Sequence, residues 1–145
     1  MIWEYPIKTD EIQDMINFIN KTEDPQEYTL DDFYELEDRT LTRQLYDLVD
    51  IMVLDLDSKI LKTINKQYIA YKNEKNFVEI VPQKSGLKLS LDIPISVLKD
   101  EKGICEDVSY KGRWGTGETR IYLKDEQDVN YIMDLIKQSY EYNLD

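Results

Sequence analysis

The tightest constraint on the fold is the run from Gln67 to Leu91, QYIAYKNEKNFVEIVPQKSGLKLSL, where three β-rich segments are separated by two short turn signals. Gln67 to Lys72 alternates around Tyr68, Ile69 and Tyr71, and Asn73 to Asn76 supplies turn residues. Phe77 to Val81 is an apolar run broken by Glu79. Pro82 to Gly86 reads as a second turn, and Leu87, Leu89 and Leu91 then alternate with Lys88, Ser90 and Asp92. Parallel neighbours need a crossover of about a dozen residues or more, so these short connections require antiparallel pairing.

Helical patterns flank this run. Ile12, Met15, Ile16 and Ile19 form one stripe from Asp10 to Asn20, and Lys21 to Tyr28 reads as a polar linker around Pro25. Thr29 to Asp38 is acidic and reads as a short helix capped by Thr29 or as an arm that docks its aromatics. Leu41, Leu45, Leu48, Val49 and Met52 predict a helix over Arg39 to Ile51. Asp57 and Ser58 resemble an N-cap, with Ile60, Leu61 and Ile64 predicting a second short helix. Pro94 begins another helical segment, PISVLKD. Ile104 to Tyr110 and Thr119 to Leu123 complete about five strands, and Asp125 caps a last helix carrying Val129, Ile132, Met133, Ile136 and Tyr140. Segregated elements of this kind predict an α+β domain, a mainly antiparallel sheet with helices on one face. The expected organisation is a helical extension and linker over 1–28, followed by a single domain over 29–145.

Composition narrows the chemistry. At 145 residues the chain can bury a core without disulfides or metal. No run of about 18 apolar residues is present, so no membrane partner is expected, and the N-terminus lacks the pattern of a signal peptide. Cys105 is the lone cysteine and reads as a small buried residue, which fits a reducing, cytoplasmic setting. The chain has no histidine, which excludes a Ser-His-Asp or Cys-His arrangement and any zinc site built on imidazole. Net charge is -12, yet residues 61–124 hold 12 bases against 8 acids, so a mildly basic centre follows an acidic N-terminal third.

Three patterns are candidates for function. Tyr71, Lys72, Lys84 and Lys88, with Tyr68 and Lys75 nearby, combine rings that stack on bases with cations that neutralise phosphate. Strand tyrosines are also common at core edges, and lysines protect exposed sheet, so a purely structural role stays open. Around Gly112, Gly115 and Gly117, Arg113 is placed to fork onto an anion beside Trp114, although the Gly-Lys-Ser/Thr ending of a P-loop is missing. In MVLDLDSK, Asp55 or Asp57 with Lys59 resembles the metal strand of some nucleases but has no identifiable second carboxylate. The favoured reading has no catalytic residues, metal or cofactor.

The strings YIAYKNEKNFVEIVPQKSGLKLSLDI, CEDVSYKGRWGTGETRIYL and DVNYIMDLIKQSYE resemble a bacterial domain family labelled "predicted transport protein". That domain occurs alone and C-terminal to ParB-like, modification-dependent restriction endonucleases. The resemblance covers roughly Leu41 to Tyr142. It implies a setting near DNA, with nucleic acid, a protein partner or a restriction-enzyme subunit as the expected partners. It brings no catalytic residues with it, and the transport label finds no support in a chain without an apolar span. The expectation is therefore a non-catalytic binding module of a DNA-targeting system, bound through Tyr71, Lys72, Lys84, Lys88, Arg113 and Trp114. The alternative is a protein-interaction or dimerisation domain acting through acidic helices.

Overall fold

A computed structural model describes residues 27–109 and 118–144. The expected helix over 10–20, nearly all of the 1–28 extension, and the glycine loop with Arg113 and Trp114 lie outside the described residues. Among the described residues the fold is α+β. Six strands form one antiparallel sheet: β1 (Leu61–Ile64), β2 (Ile69–Lys72), β3 (Asn76–Gln83), β4 (Gly86–Leu91), β5 (Glu106–Asp107) and β6 (Thr119–Leu123), in the order β1-β2-β3-β4-β6-β5. Helices α1 (Leu41–Leu54) and α2 (Val129–Tyr142) pack against each other and against β3 and β4.

Each element follows from local chemistry. Two 3-10 turns, Leu30–Asp32 and Tyr34–Leu36, precede α1. Thr29 caps the first, its Oγ1 accepting from the Asp31 amide at 3.2 Å while Asp32 Oδ2 accepts from the Thr29 amide at 2.8 Å. Thr40 caps α1 by accepting from the Arg43 amide at 3.1 Å, and Leu45, Tyr46, Val49 and Val53 form the buried stripe. Asp125 caps a 3-10 turn, Glu126–Asp128, that leads into α2, where Val129, Ile132, Met133, Leu135, Ile136 and Ser139 are buried. On the sheet, registered rows Tyr71–Val78–Leu91, Ile69–Ile80–Leu89–Ile121 and Pro82–Leu87–Leu123 face the helices and are buried. Each such large aliphatic contributes about 1.5–3 kcal/mol by leaving water.

Several local expectations are corrected. Residues 61–64 form strand β1 rather than a second helix, because Asp57 does not cap one. Its Oδ1 accepts from the nearby Lys59 amide at 3.0 Å, its Oδ2 takes the Tyr140 hydroxyl at 2.6 Å, and Leu61–Ile64 pairs with β2. The 94–98 segment makes hydrogen-bonded turns, Val97 to Pro94 and Leu98 to Ile95, without becoming a helix. Pro82 lies inside β3 rather than in the turn, which is Lys84–Ser85. It sits two residues past Ile80, the last position reached by β2, so one side of β3 is unpaired there and tolerates proline. The continuous Phe77–Val78 pair is a β-bulge. Tyr71 pairs with Val78 and Lys72 with Asn76, which leaves Phe77 as the extra residue, its ring meeting Tyr140 edge-on at 5.3 Å.

Candidate functional site

The alternation that buries Leu87, Leu89, Ile121 and Leu123 sends their neighbours to the opposite face. Lys88 is registered beside Tyr122, and Ser90 beside Arg120. Tyr122 is 43% exposed, and the ammonium of Lys124 lies 5.6 Å from its ring centroid, a cation–π geometry. The β3–β4 turn brings the exposed Lys84 to the same end of the sheet. Thr42 of α1 anchors that turn, its hydroxyl donating to the Gln83 carbonyl at 2.7 Å. Among the described residues Lys84, Lys88 and Lys124 make no ion pair, unlike Lys62, which sits 3.0 Å from Asp50, or Arg120, which faces Glu106 at 4.0 Å. The outward row at the other end is closed, with Ala70, Glu79 and Ser90 buried.

The expected residues therefore divide. Lys84 and Lys88 lie toward the same end of the sheet, where Lys88 is registered beside Tyr122 and Lys124 sits over that ring. Lys72 is exposed but lies at the opposite end of β3, about 23 Å away at ~3.3 Å per residue, so it cannot share a phosphate with Lys84. Tyr71 is corrected outright. It has 0% exposure and faces the helices, its hydroxyl donating to Asp50 Oδ1 at 2.7 Å with the Tyr46 hydroxyl 3.1 Å away. Burial, reinforced by these neighbours, raises the Tyr71 pKa well above its ordinary value, and Tyr46 is raised mainly by burial as well. No stacking surface is offered there. Its parity with Ile69 was the available signal, since residues two apart in a strand share a face.

Cys105 is half-buried, with its amide bonded to Asp100 Oδ2 at 2.8 Å. Burial and the adjacent carboxylate push its thiol up to about 12, so it stays protonated at neutral pH and is a poor nucleophile. Asp57, the nuclease candidate, is engaged with Tyr140 and the Lys59 amide, and its carboxyl is held below the usual 3.8 by those bonds. Among the described residues no group of three or more Cys, Asp or Glu is placed to hold a metal ion, and no helix is long and apolar enough to cross a membrane.

Residues 31–143 match the family described as Domain of unknown function (DUF5655). The chain belongs to this family. A relative from Haemophilus influenzae (strain ATCC 51907 / DSM 11121 / KW20 / Rd), called "Uncharacterized protein", is 36% identical over 105 residues, covering 72% of this chain and 35% of the relative. The chain thus spans about a third of the length of that protein, and this DUF5655 domain corresponds to one portion of it. No solved structure matches.

Proposed function

We propose that this DUF5655 domain is a non-catalytic nucleic-acid-binding module that accompanies a DNA-targeting restriction or defence protein. The observation that carries the reading is the separation of charge by layer. Residues 61–91 and 118–124, which hold five of the six strands, contain 8 bases and 3 acids, whereas the helix-bearing segments 27–60 and 125–144 contain 4 bases and 15 acids. Phosphate is repelled from the helix layer and admitted at the sheet, where Lys88 and Lys124 flank the exposed ring of Tyr122 and Lys84 stands in the β3–β4 turn at the same end. A ring beside lysines that make no ion pair among the described residues suits an unstacked base with phosphates on either side. The resemblance to domains that accompany restriction endonucleases, and the longer relative in which this domain is one portion, support the accessory setting.

Titration of labelled single- and double-stranded oligonucleotides at low and high salt tests this. Binding at low salt is expected, weakened by Lys84→Ala with Lys88→Ala and by Tyr122→Ala, while Lys137→Ala on the helix layer leaves it unchanged. No binding at low salt, or binding indifferent to the sheet substitutions, overturns it.

A further inference from the structure

We propose that a second surface, the groove between the 93–101 segment and α2, docks a basic amphipathic segment of a partner protein. The groove has a volume of about 710 Å³ and is open to solvent. Ile93 is buried within it, while Val97 and Tyr142 along its walls are each 53% exposed, a cost in water that a covering partner removes. Its charged lining is Lys99 against Glu101, Asp134 and Glu141. Among the described residues none of these three carboxylates is in an ion pair. Asp134 accepts from Gln138 Nε2 at 3.1 Å, but three carboxylates against one lysine leave the rim net acidic. An apolar trough with such a rim complements a helix with an apolar face and lysines or arginines beside it, and repels nucleic acid.

The groove is already assembled. The Lys99 amide donates to Gln138 Oε1 at 2.9 Å, and Gln138 Nε2 donates back to the Lys99 carbonyl at 3.0 Å. Tyr131 donates to Asp100 and accepts from the Lys102 amide at 2.9 Å, while the Lys102 ammonium sits 4.7 Å from the Tyr131 ring. These contacts fix the loop to α2, so a partner meets a surface that needs no further ordering. The groove belongs to the acidic helix layer and is separate from the lysine cluster on the outer sheet face.

The test is fluorescence anisotropy of a labelled helical peptide of about 16 leucines and lysines, with lysines flanking one leucine face, added to the full chain at physiological salt. A leucine–glutamate peptide of the same pattern is the control. The lysine peptide binds and the glutamate peptide does not; Val97→Ser with Tyr142→Ser lowers affinity by about tenfold or more, as does Asp134→Asn with Glu141→Gln. Lys84→Ala with Lys88→Ala leaves peptide binding unchanged, which separates failure of this proposal from failure of the nucleic-acid reading. All four groove residues lie at the surface of the groove, and thermal melting confirms that each variant folds. Unaltered binding in both groove variants overturns the proposal. So does a concentration-dependent dimer in sedimentation that is lost in the Val97→Ser, Tyr142→Ser variant, because it gives the groove to a second copy of the chain.

Discussion

Three aspartates each receive a tyrosine hydroxyl: Asp50 from Tyr71, Asp57 from Tyr140 and Asp100 from Tyr131. Tyr71→Phe removes a buried hydrogen bond and is expected to cost about 1–2 kcal/mol in urea unfolding. The other two pairs set limits in pH. Asp57 is held below 3.8 by Tyr140 and the Lys59 amide. At Asp100 burial pushes upward, but bonds from Tyr131, Cys105 and Gly103 outweigh it and the net shift is downward. A carboxyl lowered on folding adds stability that is complete above its unfolded value and is lost as pH falls through the folded one. Tyr140, raised mainly by its bond to Asp57, and Tyr131, raised first by burial and then by Asp100, lie above 10. Their contribution is complete below 10 and is lost as pH rises through the folded values. Melting temperature is therefore expected to be flat between about pH 5 and 9 and to fall on both sides. The difference between the wild type and a Tyr131→Phe, Tyr140→Phe variant shrinks below pH 4, which a pH series of thermal melts checks. None of these pairs was legible in the sequence, because their partners are 21, 83 and 31 residues apart and meet only once the helices dock.

Among the elements, the β3–β4 hairpin depends most on one residue. A Cβ on Gly86 would lie 2.2 Å from the Leu123 carbonyl oxygen, and its φ of +150° disfavours any side chain. Gly86→Ala is expected to cost about 2 kcal/mol or more, since the obstruction is backbone of β6 and cannot swing aside; equilibrium denaturation measures it. The strands of this central run were readable to within two residues, because connections of only four or five residues leave no alternative to antiparallel pairing. Strand β1 was not. Ile60, Leu61 and Ile64 fit a helical stripe, and only pairing with β2 overrides that spacing. The bulge at Phe77 was hidden for a related reason, since two consecutive apolar residues read as a strand buried on both faces until the partner register shows one of them to be extra.

For the molecule as a whole, the layering of charge makes net charge a poor guide to binding. If Lys84, Lys88 and Lys124 each neutralise one phosphate of a single strand, log K falls with log salt at a slope of about -2, and Lys88→Ala flattens it by about 0.7. Titration across four salt concentrations measures both. Two of this site's four residues were read from the chain, since Lys84 and Lys88 stand in the run that shapes the sheet; Tyr122 was missed, although it must face outward if Ile121 and Leu123 face inward. The rest depended on β6 lying beside β4, which no local pattern specifies, and the α2 groove likewise exists only where a loop and a helix far apart in the chain are joined. Among the described residues the sheet's two borders are β1, four residues long, and β5, only two, so the rows of amides and carbonyls they present to another molecule are short. A second copy approaching edge to edge gains few hydrogen bonds and must compete with water for each. The short borders therefore limit strand-to-strand adhesion between copies of the domain.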